Sequence, residues 1–300
     1  MRLNKLVISI MTFSFFMKPT PMLQVLQVIV LSLALPIVHA APITFNTALP
    51  LGKGQGLVRS LVSYNQQRGS IDEASVRRDS LSLNSVLAYG INARWAAFAV
   101  VPVSHIDFSS NTQRSSDSAI GDAVIFSRYE VWRMDGSGTT RRLAPFVGVR
   151  LPSGDTGLTS DGTTDAFAGL VYTSARTKQN FDLQLKFDLN GNHQGLDVGN
   201  SFSLDASWQR RIAPSTISVS TKGFWFAALE TNVQYSQRSR LFGQADPNSG
   251  GLIASLAPGI QYVTRRWIAE LAVRIPVISN LNGEALESDF TVFTGIRANF

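Results

Sequence analysis

The chain has no cysteine in its 300 residues. That absence excludes disulfide scaffolds, thiolate zinc sites, iron–sulfur clusters and cysteine nucleophiles together. Histidine is scarce as well, with three in all and one of them, His39, in an N-terminal leader, so a histidine-rich metal centre is not expected. Only 16% of residues are charged, and no Lys/Arg block exceeds the pairs Arg77-Arg78, Arg141-Arg142, Arg210-Arg211 and Arg265-Arg266. The sequence pI near 9.8 is therefore not the footprint of a nucleic-acid binder. Glycine (23) and proline (12) are at ordinary levels, which removes collagen-like and low-complexity classes. A mean hydropathy of +0.07 is too polar for a bundle of membrane helices.

What is present begins with the leader. Residues 1–40 carry no acid and three cations, Arg2, Lys5 and Lys18. An apolar run from Val25 to Leu35 leads to Pro36 and then Val38-His39-Ala40, whose −3 and −1 residues suit secretory cleavage after Ala40. A start at Met17 would make a more compact signal, and both starts stay open. The run falls short of the ~20 apolar residues a spanning helix needs. The expectation is a removed signal over 1–40 and one domain over 41–300. Three of the 27 cations belong to the leader, so the remainder exceeds its 21 acids by three, an ordinary surface balance.

Beyond the leader the dominant signal is alternation with a period of two. In Phe181-Asp182-Leu183-Gln184-Leu185-Lys186-Phe187-Asp188-Leu189 every odd position is apolar and every even one polar. Leu81, Leu83, Leu87 and Tyr89 alternate with Ser80, Ser82 and Asn84; Phe202, Leu204, Ala206 and Trp208 with Ser203, Asp205 and Ser207. These are strands with one apolar and one polar face. The pattern predicts twelve: 56–66, 79–89, 94–106, 121–132, 143–151, 166–174, 181–190, 201–210, 216–229, 252–263, 267–278 and 289–300. Several reach the ~9–11 residues of a tilted membrane strand, longer than the five or six of ordinary globular strands.

The connections alternate too. Segments 67–78, 107–120, 152–165, 191–200, 230–251 and 279–288 are long, and those between them are short. An outer-membrane barrel has long outside loops and short periplasmic turns. Tyr64, Tyr89, Tyr129, Trp132, Trp208, Trp225, Tyr262, Trp267 and Phe300 lie near strand ends, where an interfacial girdle would place them. The expected fold is all-β, a transmembrane antiparallel β-barrel of about twelve strands in the outer membrane of a Gram-negative-type cell.

The terminal run Phe290-Thr291-Val292-Phe293-Thr294-Gly295-Ile296-Arg297-Ala298-Asn299-Phe300 resembles the C-terminal assembly signal of bacterial outer-membrane barrels, which closes on a Phe. That resemblance implies the barrel assembly machinery as a partner, beside outer-membrane lipid. The stretch Ala144-Pro145-Phe146-Val147-Gly148-Val149-Arg150-Leu151-Pro152-Ser153-Gly154-Asp155 is similar to the strand and "LPTGD" turn of a transporter family associated with the MetA pathway of phenol degradation. Gly121-Asp122-Ala123-Val124 with Arg128-Tyr129 looks like that family's "GD…KY" strand, and 165–172 like the strand after the turn. Ser153 replaces the usual Thr and Arg128 the usual Lys. The resemblance implies aromatic-compound uptake and brings no site residues with it.

Enzymatic chemistry finds little support. His105 and His193 are the two histidines outside the leader, and neither is followed by a matching serine motif; a G-x-S-x-G elbow is absent. A lipid-modifying barrel enzyme would need a rim-level Ser–His contact within ~3 Å. A structural or adhesive barrel is the third reading. Asp155, Asp161 and Asp165 lack the spacing and final Glu of a calcium loop. Gly52, Gly54 and Gly56 precede a strand rather than a helix, so no phosphate loop is expected. No metal and no cofactor are anticipated, and the chain is not expected to be an enzyme.

The polar face carries what remains. Strand parity turns Arg59, Arg128, Glu130, Arg150, Asp182, Lys186, Asp188, Asp205, Glu270, Arg274, Asp289 and Arg297 toward the lumen, because a mid-membrane charge facing lipid costs up to ~2–4 kcal/mol. They can brace the barrel, line a solute path, or both. Twelve strands with inward Arg and Lys leave a bore narrower than that of the 16–18-stranded porins. Slow passage of small, aromatic or apolar solutes is expected, with sideways exit near Pro258-Gly259, where proline removes a ladder donor.

Overall fold

A computed structural model describes residues 39–71, 74–157 and 159–300. The leader's first 38 residues lie outside the described residues, and with them nearly all of the expected signal.

Among the described residues there is no helix, and the chain closes into a barrel of twelve antiparallel strands. They are β1 (Gly56–Ile71), β2 (Ala74–Gly90), β3 (Trp95–Ser110), β4, β5 (Thr139–Arg150), β6 (Asp165–Arg176), β7 (Gln179–Leu189), β8 (Ser201–Ala213), β9 (Gly223–Ser236), β10 (Gly251–Thr264), β11 (Trp267–Leu281) and β12 (Glu287–Asn299). Strand β4 runs in three pieces, Arg114–Ile120, Val124–Tyr129 and Trp132–Gly136. Each strand pairs with its sequence neighbours, and β1 pairs with β12, from Leu57 opposite Asn299 to Arg68 opposite Glu287. Closure removes every free edge, as hydrocarbon demands of a spanning sheet.

Outward positions carry the apolar residues. In β7, Phe181, Leu185, Phe187 and Leu189 are exposed, while Asp182, Gln184 and Asp188 are buried. Leu81, Leu83, Leu87, Val101, Val103, Ile125, Val147, Leu229, Leu271 and Ile275 continue the outer band. Near the short turns stand Tyr89, Trp95, Tyr129, Trp132, Trp208, Trp225, Trp267 and Phe300, all exposed. Trp225, Tyr262 and Trp267 form a chain of rings with centroids 4.9 and 5.4 Å apart. That is the aromatic girdle of a membrane barrel.

Two boundaries differ from expectation for one reason. Segments 67–78 and 107–120 are extended hairpin, with Gln67 to Ile71 laddered to Arg78 to Ala74 and Val103 to Ser109 to Ile120 to Arg114. Beyond the membrane both faces meet water, so alternation vanishes while the backbone ladder continues. Strand β9 is shifted instead: it runs on to Ser236 with Glu230 buried, whereas 216–222, expected as strand, forms a turn in which the hydroxyl groups of Ser218 and Thr221 lie 3.2 Å apart. At the outer mouth, Asn192–His193, Leu196–Asp197, Arg240–Leu241 and Gln244–Ala245 pair as a small separate sheet.

Asp289 departs from its expected side. The β1–β12 register moves between Gln66 opposite Phe290 and Gln67 opposite Ser288, which makes Asp289 the extra residue of a bulge. It pairs with Arg68 at 2.9 Å, partly exposed at the outer end of the seam.

Candidate functional site

The lumen has two unlike walls. Strands β2 to β6 place Val86, Phe98, Val100, Val124, Phe126, Phe146, Phe167 and Val171 in one apolar cluster. Phe98 and Phe126 stack with centroids 4.4 Å apart, and Phe146 and Phe167 each meet Phe126 at 6.4 and 6.1 Å. Glycine makes this packing possible: a Cβ at Gly169 would lie 2.2 Å from Phe146 Cζ, and one at Gly148 2.4 Å from Phe126 Cβ.

Strands β7 to β11 place buried Asp182, Gln184, Asp205, Ser207, Gln209, Glu230, Gln261 and Glu270 on the opposite wall. Most of their polar atoms are paired with one another, the exceptions being Gln209 Oε1 and Gln261 Oε1. Gln209 Nε2 donates to Ser207 Oγ (2.5 Å) and Asp182 Oδ2 (3.1 Å), Ser207 to Glu230 Oε1 (3.0 Å), and Gln184 to Asp205 Oδ2 (2.9 Å). Asn232 and Thr173 donate to Asp205 and Asp182. Buried polar groups are tolerated on these terms, since each unmade bond would cost about 1–3 kcal/mol.

Between the walls sits the segment that precedes β1. Ala40, Ala41, Ile43 and Ala48 are buried. Glu230 accepts from Ile43 N (2.7 Å), Thr44 N (3.0 Å) and Thr44 Oγ1 (2.6 Å). Asn180 donates to the Ala40 carbonyl (2.9 Å) and Gln261 to that of Ala41 (2.7 Å). Ala48 N donates to Thr173 Oγ1 (2.7 Å). Arg59 donates to the Ile43 carbonyl, and Arg128 to those of Thr47 and Leu49. Ile43 packs with Ala228, Ala272 and Phe293, and it rests on Gly259, where a Cβ would stand 2.7 Å from Ile43 Cδ1. Residues 40–52 thus fill the short-turn half of the lumen. Gly54, at φ +75°, then turns the chain into β1.

The twelve residues assigned to the lumen by parity divide by what they touch. Arg59 meets Glu270 at 2.6 Å, and Arg297 lies 4.0 Å from the same carboxylate. Arg128 lies over the Phe98 ring at 5.0 Å. Glu130 pairs with Arg142 (2.9 Å) and Arg133 (3.1 Å) at the short-turn rim. Toward the outer mouth Arg150 meets Asp165 (2.8 Å), Lys186 meets Asp188 (2.6 Å), and Arg274 covers the Phe293 ring at 5.0 Å. Asp182 and Asp205 belong to the polar wall, and Asp289 stands apart on Arg68.

Arg59, Arg128 and Arg297 also line a cavity of about 220 Å³ between residues 41–51 and the wall of β1, β2, β3, β4 and β12. Its apolar lining includes Phe45, Leu49, Leu51, Leu57, Val86, Phe98, Val100 and Phe126. Parity reasoning missed Glu230 and the glutamines. It also missed residues 40–52 themselves; an uncharged stretch between the leader and the first strand was their one visible mark.

The turn motif and the "GD" strand interlock at the break in β4. Ile120 N donates to Asp155 Oδ2, Ala123 N to Ser153 Oγ and Gly154 N to Asp122 Oδ1, each at 2.9 Å. Asp161 caps Thr163, and Asp165 takes Thr163, Gly191 N and Arg150. No cluster of His, Asp and Glu able to hold a metal occurs among the described residues.

His105 meets two serines near the outer end. His105 Nδ1 lies 2.8 Å from Ser118 Oγ, while its Nε2 is shared between Ser116 (3.3 Å) and Asp107 (3.5 Å). Both His105 and Asp107 are exposed. A catalytic triad instead buries the acid that orients its histidine.

A closed barrel with an apolar outer band, aromatic girdle and filled lumen defines an outer-membrane β-barrel, seated among the lipids of the Gram-negative outer membrane. The chain belongs to the family described as "Putative MetA-pathway of phenol degradation", whose profile matches residues 75–274. Among solved structures, an outer membrane channel from Pseudomonas putida F1 superposes with a TM-score of 0.66 at 10% identity, over 87% of this chain and 100% of that one. The NanC porin gives 0.47 at 14% identity, over 80% and 98% of the two chains. A Pseudomonas aeruginosa FadL homologue gives 0.38 at 10% identity, over 90% and 96%. At these identities the likeness is one of fold. No curated protein matches the chain.

Proposed function

We propose that this barrel passes small aromatic or apolar solutes across the outer membrane and is not an enzyme. The carrying observation is the phenylalanine-lined cavity of about 220 Å³ beside the lumen segment. Ligand sites are concave and mostly apolar, with a few placed polar groups, and a cavity of about 150 Å³ already admits benzene. Membership of a family named for phenol degradation fits such a cargo.

Residues 40–52 leave no wide path, so sugars and peptides are excluded. Removal of the leader after Ala40 takes His39 away from the cavity wall and opens the cavity toward the periplasm. A sideways exit has support at Pro258: the β10–β11 ladder runs from Leu256 opposite Ile275 to Gly259 opposite Ala272, with no rungs at Ala257 and Pro258. The assembly machinery would read Phe300, and its exposure beside Gly56 at the closing seam supports that role.

Liposome swelling with purified protein tests the reading. Phenols and small aromatic acids should enter while disaccharides do not. Rapid disaccharide swelling or large open-channel conductance would overturn it in favour of a general porin. The enzyme alternative rests on the contacts of His105 with Ser118 and Ser116; covalent labelling of either serine by a serine-directed phosphonate would revive it.

A further inference from the structure

The charges around the cavity are of one sign. Its lining contains three guanidinium groups, Arg59, Arg128 and Arg297, and neither Asp nor Glu. Two of the three are already engaged, Arg59 with Glu270 and the Ile43 carbonyl, and Arg128 with the Thr47 and Leu49 carbonyls. Arg297 is not. Its Nε is buried without a hydrogen-bond acceptor, and Glu270 Oε2, 4.0 Å from its NH2, takes the Gln261 amide at 3.2 Å.

A buried guanidinium Nε that lacks an acceptor, at the wall of a chamber lined by apolar rings and by Asn46, Thr47 and Asn299, marks where a ligand oxygen belongs. Guanidinium groups bind carboxylates through paired, charge-assisted bonds. Phe98 and Phe126 stack on one another and Arg128 covers the Phe98 ring, so the pair offers the chamber its ring edges as an apolar partner. Cleavage after Ala40 would add a further cation, the α-ammonium of Ala41, itself a lining residue. The volume exceeds the ~150 Å³ sufficient for benzene by about two waters' worth, which is room for one small polar substituent.

We propose that the chamber selects small aromatic monocarboxylates, the ring against Phe98 and Phe126 and the carboxylate on Arg297. This rests on the reading of the chamber as the solute site and adds the charge of the solute to it.

The test is calorimetric titration of the purified full-length protein in detergent, with benzoate and phenol as probes. Benzoate should bind at least about tenfold more tightly than phenol, the gain of a charged bidentate contact. Arg297→Gln should remove that gain and leave phenol within about twofold, with folding verified by heat-modifiable migration. Should Arg297→Gln fail to fold, Val100→Trp, which fills the chamber, should abolish binding of both probes. Equal binding of the two by the wild-type protein, or benzoate affinity unchanged in Arg297→Gln, overturns the carboxylate assignment while the apolar-solute reading stands. Binding of neither probe, or of both undiminished in Val100→Trp, removes the chamber as the solute site and takes both readings with it.

Discussion

The two walls of the lumen are built from the same period-two strands and do opposite work. On β2 to β6 the inward positions at mid-barrel are chiefly Val and Phe, interlocked through Gly148 and Gly169, with Arg128 and Thr173 among them, and they leave a chamber. On β7 to β11 carboxylates and amides, interspersed with Phe226, Ala228 and Ala272, are knitted to one another and to residues 40–48, and they leave little space. Apolar side chains attract without direction, so a shape mismatch persists as a void. Polar side chains must each find a partner, so a polar wall recruits backbone to fill it. A passage and its stopper thus arise from one sheet by a change of residue type at alternate positions.

The sharpest way to break this contrast is to delete residues 42–51. The polar wall then faces water, which satisfies it, and the barrel should still show heat-modifiable migration. Conductance in planar bilayers should rise by about tenfold or more as the filled half empties, an order set by the bore of an unplugged barrel. Unchanged conductance would show that the segment does not close the path.

Next in size is Phe126→Ala, which removes the ring shared by Phe98, Phe146 and Phe167. Urea unfolding in detergent should show a loss of roughly 3–5 kcal/mol. A loss under ~1 kcal/mol would mean that the apolar wall relaxes around the gap.

Gln209→Leu probes the other wall more gently. Asp182 and Ser207 each lose a donor, at a cost of about 1–3 kcal/mol, and protease access to residues 40–48 should not change, since Glu230 still holds them. Rapid cleavage there would make the polar wall one cooperative unit rather than a set of local contacts.

The smallest effect lies outside the lumen. Asp135 follows Trp132 beyond the girdle, where hydrogen bonds from Arg142 and then Thr140 hold its carboxyl below the ordinary range. A folded-state value below the unfolded one stabilises above the unfolded pKa and is lost as pH falls through the folded one. Amide exchange in the hairpin 132–140 should therefore accelerate on acidification, and Asp135→Asn should remove the dependence.

How much of this was legible from residues alone follows the physics of each part. Strand β7 was, because lipid on one side and a polar lumen on the other force strict alternation from Phe181 to Leu189. The hairpin ends were not, because water on both faces erases that pattern. Glu230 is different, since it is buried in the lumen and Thr231, Val233 and Tyr235 carry the alternation on past it, yet its own charge reads as loop. Residues 40–52 have no period of their own; Ile43 finds Glu230 across 187 positions, a pairing no local rule encodes. Asp289 failed by one residue, as any bulge makes parity fail.

The path of residues 40–52 has a topological consequence. The segment starts beside Asn180 and Gln261, near the short-turn rim, climbs to Glu230 and returns past Arg128 to Gly52, which touches Gly90 at the same rim. Seven residues separate Glu230 from the start of β9, a climb of roughly 18 Å at the usual rise and tilt. Entry and exit share one mouth, so the chain is looped into the ring without being threaded through it. It can therefore be drawn out or laid back with all twelve ladders intact, and sealing the barrel and filling it need follow no fixed order.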